Sequence, residues 1–347
     1  MLFLKDFDKM NFMVTIAFFG SQPYDERFFN LINEEKQFGF RFKFFKVNLN
    51  ADTVSLAQGS EVVCVFVNDT VDAEVINVLH KNGTRLLALR CAGFNNVDLK
   101  AAEGKLKVVR VPAYSPYAVA EYALGLMLAS NRHICKATNR TREGNFSLTG
   151  LMGFDMHEKT IGIIGTGKIA KVLIQLLSGF GVHLLAYDIY PDEAFAKKYN
   201  VTYTDLNHLF EASDIISLHC PLTPESHHII NDAAIDRMKP GVMIINTGRG
   251  PLIDTHALIR GLKKRIIGSA ALDVYENEND YFYADRSNQP IEDDVLARLL
   301  SFNNVIVSSH QAFFTQEALT NIATTTLENV TAYLKHEPLV NEVKCEG

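Results

Sequence analysis

The fold is decided by the stretch Ile161-Gly162-Ile163-Ile164-Gly165-Thr166-Gly167-Lys168-Ile169-Ala170. Its apolar run indicates a buried strand, and its glycine turn leads into a helical segment that reaches Gly179. Gly165 permits a tight turn, Gly167 lets main-chain amides approach a pyrophosphate, and the helix N-terminus adds partial positive charge. Asp188 ends the next predicted strand, where a carboxylate can bind a ribose. The pattern therefore predicts a dinucleotide-binding domain, and an ordinary βα turn with a surface aspartate is the alternative.

Asp188 also selects the nucleotide. A carboxylate accepts hydrogen bonds from a ribose 2′-hydroxyl but repels a 2′-phosphate. The residues that follow, Ile189-Tyr190-Pro191-Asp192-Glu193, contain no arginine that could hold such a phosphate. The sequence therefore predicts NAD in preference to NADP.

Short apolar strands alternate with helical stretches in two successive blocks. The first block has strand candidates at Val14–Phe19, Phe40–Val47, Val62–Val67, Leu86–Arg90 and Val108–Arg110. The second has candidates at Thr160–Ile164, Val182–Tyr187, Asp214–His219, Val242–Asn246, Ile266–Leu272 and Val305–Ser309. This alternation is typical of parallel sheets that are covered on both faces. We predict an α/β protein with two doubly wound parallel-sheet domains, a flavodoxin-like first domain and a Rossmann dinucleotide-binding domain.

Two helices outside this rhythm suggest how the domains are connected. A helix predicted from Tyr117 to Cys135 has almost no polar face, so it must be covered on all sides. We expect a subunit interface there, and a central interdomain helix is the alternative. The last predicted helix, Thr315–Leu334, has no strand to follow, and we expect it to return to the first domain. The predicted domains are residues 1–112 with 311–347, and residues 113–310.

Composition excludes several classes of protein. The 347 residues are 47% hydrophobic and 21% charged, which is typical of a globular protein of two domains. The net charge is −6 with no basic block, so neither nucleic acid nor an acidic membrane surface is expected as a partner. No secretory signal or transmembrane run is visible, which predicts a cytoplasmic protein. The cysteines are scattered and odd in number, so we expect reduced thiols and no metal site; they are Cys64, Cys91, Cys135, Cys220 and Cys345.

Reactive side chains follow the ends of three predicted strands in the second block. Arg249 could hold a carboxylate through two parallel hydrogen bonds, and His310 could protonate a carbonyl oxygen. A nearby carboxylate would favour the imidazolium and raise the pKa of His310. From the residues alone, Glu276 and Glu278 are both candidates for that carboxylate. A surface arginine, a solvated acidic loop and a structural histidine are the respective alternatives.

With these residues in place, the chain resembles the D-2-hydroxyacid dehydrogenase family over nearly its full length. The resemblance is strongest to the fermentative members, and it is carried by residues 89–98, 111–116, the Gly165 loop, 219–223, 246–250, 273–278 and 309–313. It implies a substrate domain built from both chain ends, an NAD domain inserted between them, and an active site in the cleft. Two departures are Gly248, where serine or alanine is common, and an N-terminal extension over residues 1–12.

The resemblance also implies residue roles. Arg249 would bind the substrate carboxylate, and Glu278, in preference to Glu276, would pair with the proton donor His310. The other implied substrate-binding residues are Arg90, Ala92, Gly93 and Tyr114. The implied NAD-binding residues are Gly165, Gly167, Lys168, Ile169, Asp188, Cys220, Pro221, Thr247, Gly248 and Asp273.

The expected reaction is the reversible reduction of pyruvate to D-lactate by NADH. Another small 2-keto acid, such as glyoxylate, hydroxypyruvate or a bulkier acid, is the alternative substrate, because one methylene changes discrimination by only ~1–3 kcal/mol. An NAD-sensing binding protein on the same scaffold is the alternative from another class. A homodimer or homotetramer is expected.

Overall fold

The computed structural model describes residues 14–278 and 281–345. The predicted N-terminal extension, residues 1–12, lies outside the described part. The chain forms two compact units, one of residues 1–115 with 315–347 and one of residues 116–314. Their boundaries fall at residues 115 and 315, where the sequence suggested 112 and 311.

The first unit is built on a five-stranded parallel sheet. Its elements before residue 115 are β1 (Thr15–Phe18), α1 (Pro23–Glu35), β2 (Arg41–Phe44), β3 (Val62–Val65), α2 (Ala73–Lys81), β4 (Leu86–Leu89), α3 (Leu99–Ala102) and β5 (Lys107–Val109). The strand order is β2-β1-β3-β4-β5 and every neighbouring pair is parallel. β3 and β4 are buried along their whole length, as central parallel strands should be. The flavodoxin-like prediction for this unit is confirmed.

The second unit contains a seven-stranded parallel sheet. Its elements are α4 (Pro116–Asn131), α5 (Ile134–Arg142), β6 (Thr160–Ile164), α6 (Lys168–Leu177), β7 (His183–Tyr187), α7 (Glu193–Tyr199), β8 (Val201–Tyr203), α8 (Leu206–Ala212), β9 (Ile215–Leu218), α9 (Asp232–Ile235), β10 (Val242–Asn246), α10 (Thr255–Lys264), β11 (Ile267–Leu272), α11 (Asp294–Leu300) and β12 (Val305–Val307). The order β12-β11-β10-β9-β6-β7-β8 reverses direction between β6 and β9, which is the switch point of a Rossmann sheet. The predicted Rossmann fold is confirmed.

The second unit differs from the sequence prediction at two points. β8 was missed because it is a three-residue strand at the edge of the sheet, where it pairs with β7 and leaves Thr202 exposed, so it carries no apolar run. The long predicted helix is divided, since α4 ends at Asn131 and His133 adopts the left-handed conformation with φ of 50°. The Asn131 side chain exchanges two hydrogen bonds with the main chain of Phe154 at 2.7 and 2.9 Å. That tertiary contact accompanies the break, and hydrophobic periodicity cannot reveal it.

The last helix, α12 (Gln316–Leu334), belongs to the first unit, where it packs on α1 and β4. Its N-cap is Thr315, whose hydroxyl accepts a hydrogen bond from the Ala318 amide at 3.2 Å. None of the helices in the described part of the chain combines the length and apolar character that crossing a bilayer requires.

Candidate active site

The turn between β6 and α6 has the shape that a pyrophosphate requires. Gly165 has a φ of +90°, and a Cβ there would lie 2.5 Å from the main-chain nitrogen of Cys220, so no larger residue fits. Gly167 is the N-cap of α6, and no atom lies within 4 Å of the position that its Cβ would take. The first turn of α6 therefore faces open space with its amides available to an anion.

Asp188 follows β7 directly and contacts the tip of this turn. Its carboxylate accepts hydrogen bonds from the Thr166 hydroxyl at 2.9 Å, the Thr166 amide and the Tyr190 amide at 2.8 Å. Partial burial opposes ionisation, but these donors outweigh it and lower the pKa of Asp188. The carboxylate is therefore ionised at neutral pH, which suits a ribose diol and disfavours a 2′-phosphate.

The remaining predicted nucleotide contacts lie around the same edge of the sheet. Lys168 is exposed and Ile169 half-buried in the first turn of α6, and Pro221 is exposed just after β9. Cys220 faces Gly165, and burial raises the pKa of its thiol to about 11. These residues, together with the open helix end and Asp188, fit NAD.

Arg249 lies in a turn that directly follows β10. The buried Asn246 side chain fixes this turn, accepting from the Gly248 amide at 3.0 Å and donating to the Arg249 carbonyl at 2.9 Å. The guanidinium is half-buried, and it donates to the Gly248 carbonyl at 2.8 Å. Within residues 14–278 and 281–345 no carboxylate forms an ion pair with it. Sequence reasoning missed Asn246, although an asparagine two residues before a glycine can signal such a turn.

Glu278 and His310 are in contact. Nδ1 of His310 lies 2.7 Å from Oε1 of Glu278, and Oε2 of Glu278 accepts from the Tyr275 amide at 3.0 Å. Both side chains are about one-sixth exposed, at 18% and 17%. The Nδ1 contact orients the ring and leaves Nε2 for another partner. The predicted proton donor and its carboxylate are thus brought together.

Glu276 has a separate set of partners. Its carboxylate lies 2.6 Å from Nε2 of His228, and it accepts from the hydroxyl and the amide of Thr255 at 2.7 and 3.1 Å. Glu276 is therefore bound to the start of α10, while Glu278 meets the histidine. The two acids, which residue type alone could not separate, are distinguished by these contacts.

His310 has an unusual backbone conformation, which hydrogen bonds to neighbouring residues stabilise. Its φ is +51°, in the left-handed region, and its amide donates to the Asp273 carbonyl at 2.7 Å. The Tyr283 hydroxyl donates to the His310 carbonyl at 3.2 Å. Tyr283 was not singled out from the sequence, because a tyrosine in an acidic loop carries no positional signal.

Asp273 lies inside the protein, beside the turn that carries His310. The resemblance assigned it to NAD, but the structure buries it completely. Its carboxylate accepts from the Ser308 hydroxyl at 2.7 Å and from the Gln311 and Ala312 amides at 2.9 and 2.8 Å. We therefore infer that Asp273 holds the turn that carries His310. The neighbouring Thr247 hydroxyl is buried and has no hydrogen-bond partner in the described residues, so it retains a donor for a bound group.

Arg90 in the first unit is also buried. Arg90 was predicted to bind the substrate, but only 3% of its side chain is exposed. Its guanidinium donates to the Gly20 carbonyl at 3.0 Å, lies 3.5 Å from an Asp25 oxygen and packs between the rings of Phe18 and Phe66. We infer that Arg90 stabilises the interior of the first unit at the end of β4. An arginine after a strand gives the same sequence signal whether it points inward or outward.

Ala92 and Gly93 lie in the loop that follows β4, and Tyr114 lies near the end of the first segment of the first unit. The Tyr114 carbonyl accepts a hydrogen bond from the Asn321 side chain at 2.7 Å.

Comparison with known proteins agrees with this geometry. Residues 124–312 match the family described as D-isomer specific 2-hydroxyacid dehydrogenase, NAD binding domain. The chain is 53% identical to D-lactate dehydrogenase of Escherichia coli over 94% of this chain and 99% of that protein. The apo-structure of the E. coli enzyme has a TM-score of 0.87 at 50% identity and covers 95% of this chain and 100% of its own. The pyruvate reductase of Chlamydomonas reinhardtii has a TM-score of 0.89 at 42% identity, covering 95% and 98%.

The Rossmann sheet, the glycine turn and the contact between His310 and Glu278 define an NAD-dependent oxidoreductase. The chain belongs to the D-isomer specific 2-hydroxyacid dehydrogenase family.

His219 lies beside the nucleotide turn and makes the stability of the fold depend on pH. Burial lowers the pKa of this histidine from 6.5 to about 4, and its Nε2 lies 2.8 Å from the Ser217 hydroxyl. Below pH 6.5 the unfolded chain binds a proton that the folded chain excludes, so stability is lost as the pH falls toward 4. We expect His219 to contribute roughly 1–3 kcal/mol to this loss, at 1.36 kcal/mol per pKa unit and allowing for some remaining exposure of the ring.

Urea unfolding at several pH values between 4 and 7 measures this effect. His219→Gln should flatten the pH dependence, whereas His208→Gln, on the exposed face of α8, should leave it unchanged. Parallel curves for the wild type and His219→Gln would show that His219 has no such role.

Proposed function

We propose that this chain catalyses the reversible reduction of pyruvate to D-lactate with NADH. The observation that carries the proposal is the 2.7 Å contact between Glu278 and His310. Arg249 follows β10, Glu278 follows β11 and His310 follows β12, and these three strands are parallel neighbours. The three side chains therefore belong to the same edge of the sheet, where ligands of open α/β sheets bind.

The charge of each reacting group determines its role in the reaction. We infer that Arg249, which has no carboxylate partner in the described residues, binds the substrate carboxylate through its guanidinium. Nε2 of His310 gives a proton to the ketone oxygen, and Glu278 holds the ring and offsets its positive charge. When bound, NADH supplies the hydride for the carbonyl carbon. In the reverse direction His310 accepts the proton from the hydroxyl group.

The nucleotide contacts are assigned on the same basis. We propose that the amides at Gly167, Lys168 and Ile169 bind the pyrophosphate, that Gly165 supplies the tight turn before them, and that Asp188 binds the ribose diol. Cys220, Pro221, Thr247 and Gly248 contribute the remaining surface, and the unpartnered Thr247 hydroxyl supports that assignment. In the first unit, the amides of Ala92 and Gly93 bind the substrate carboxylate and Tyr114 contacts the substrate.

Self-association is supported by surface chemistry. α4 is covered in its own unit by α6, β10 and β11, so its apolar character does not require a subunit interface. The segment after it, however, exposes large apolar side chains: Ile134, Phe146, Leu148 and Met152 are 51%, 77%, 82% and 90% exposed. Exposed apolar surface of this kind marks interaction sites. We propose a homodimer or homotetramer that uses this segment.

A cytoplasmic location is proposed on chemical grounds. None of the cysteines in the described residues forms a disulfide, as expected for a reducing compartment.

Absorbance of NADH with purified protein and pyruvate tests the function. We expect turnover with NADH and a kcat/KM at least ~10-fold lower with NADPH, because the ionised Asp188 repels a 2′-phosphate. A panel of glyoxylate, hydroxypyruvate and bulkier aromatic 2-keto acids in the same assay ranks the substrates. Binding of NADH without turnover of any 2-keto acid would instead favour an NAD-sensing binding protein.

A further inference from the structure

The loop after β4, residues 91–97, is fixed by hydrogen bonds from its own side chains. The Cys91 thiol donates to the Gly93 carbonyl at 3.3 Å. The Asn96 side chain donates to the carbonyls of Phe66 and Asp69, each at 2.8 Å. The loop therefore has a defined main-chain conformation before any ligand binds.

Two main-chain donors of this loop are not used by the protein. In the described residues, neither the Ala92 amide nor the Gly93 amide donates to a protein acceptor. Adjacent amides left open in a fixed loop can bind an anion. They are the donors that the proposed function gives to the substrate carboxylate.

Arg110 binds the peptide unit that carries one of these donors. Its Nη1 donates to the Ala92 carbonyl at 2.8 Å, and that carbonyl belongs to the same planar unit as the Gly93 amide. A hydrogen bond from a cation to the carbonyl fixes the plane of the peptide. It also polarises the unit, so that the N–H on the other side becomes a stronger donor.

Arg110 is itself held in place. Its amide donates to the Asn341 carbonyl at 3.1 Å, and its carbonyl accepts from the Asn329 side chain at 2.9 Å. The guanidinium lies 5.0 Å from the centroid of the Phe94 ring. Over the ranges that the structure describes, no carboxylate forms an ion pair with it. Its positive charge is therefore not neutralised by an acid of the protein.

We propose that Arg110 is a positioning residue for the substrate carboxylate and acts through the peptide between Ala92 and Gly93. This role rests on the proposed reduction of 2-keto acids. Arg110 orients and polarises the Gly93 amide, and its charge makes the loop more attractive to an anion. It does not need to touch the substrate.

Steady-state kinetics of Arg110→Met with pyruvate and with methyl pyruvate test this role. We expect kcat/KM for pyruvate to fall about 10-fold or more, mainly because KM rises. A fall of this size is typical when a hydrogen bond that involves a charged group is lost. For the ester, which lacks the carboxylate charge, the fall should stay below about 3-fold. KM for NADH should not change. Arg110→Lys, which keeps a cationic donor, should recover most of the loss.

Arg85→Met is the matched control, because Arg85 also donates to main-chain carbonyls but lies before β4, at the opposite end of that strand. It should leave both substrates unaffected. If Arg110→Met does not fold, Arg110→Gln, which keeps a neutral donor, takes its place under the same criterion.

Equal losses for acid and ester, or no loss for either, would overturn the role of Arg110 while an active wild type left the proposed function standing. A wild type that reduces no 2-keto acid would overturn both.

Discussion

His310→Gln is expected to lower kcat for pyruvate reduction by roughly 10²–10⁴-fold, the usual contribution of a general acid. The amide of glutamine can fill the space beside Glu278, but it cannot release a proton to a ketone oxygen. Because the ring lies at the end of β12 and the nucleotide turn at the end of β6, the dissociation constant of NADH should change by less than about 3-fold. Stopped-flow hydride transfer and NADH fluorescence titration measure the two quantities.

The left-handed backbone at His310 calls for a second variant. His310→Asn tolerates a φ of +51° better than glutamine does, since asparagine adopts this conformation more readily than most residues. If both variants bind NADH and both lose turnover, the loss belongs to the imidazole and not to strain. A His310→Asn protein that kept most of its rate would show that another group supplies the proton.

Gly250→Ala is expected to be the most damaging small substitution near the site. A Cβ at Gly250 would overlap the main-chain carbonyl of Tyr275, and two backbone segments cannot rearrange as a flexible side chain can. The turn that carries Arg249 would have to move away from the segment that carries Glu278. We expect a loss of roughly 2–4 kcal/mol in the free energy of unfolding and about a 100-fold fall in kcat/KM.

Gly248→Ala is the matched control on the other side of Arg249. The position of its Cβ is at ordinary contact distance, with the nearest atoms at 3.5 Å, and its φ is not in the left-handed region. An alanine there should be neutral or stabilise the fold by about 0.4–1 kcal/mol, because it restricts the unfolded chain. Thermal unfolding and pyruvate kinetics on both variants check the pair, and equal behaviour of the two would contradict the packing argument.

The sequence predicted the architecture well because hydrophobic runs report burial. Buried strands such as β6 and β10 leave runs of apolar residues in the sequence, and Gly165 marks the glycine turn because its positive φ requires a glycine. The edge strand β8 and the break after Asn131 depend on tertiary contacts, which leave no period in the sequence. Local patterns therefore located most of the elements, whereas long-range contacts account for the edge strand β8 and for the end of α4.

The site was less predictable, because residue type does not fix the direction of a side chain. Glu276 and Glu278 are two positions apart in one acidic segment, yet one binds His228 and the other His310. Asp273 and Arg90 follow strands as ligand-binding residues do, but both are used inside the protein. Their burial could not be inferred without knowing what packs against them.

The hydrogen bonds at Asp188 limit how the preference for NAD can be changed to NADP. The same carboxylate that repels a 2′-phosphate also anchors the Thr166 amide and hydroxyl, which shape the turn for the pyrophosphate. Removing it to admit NADP would weaken the part of the site that both nucleotides share. A change of coenzyme therefore requires a substitute acceptor for Thr166 as well as a new cation.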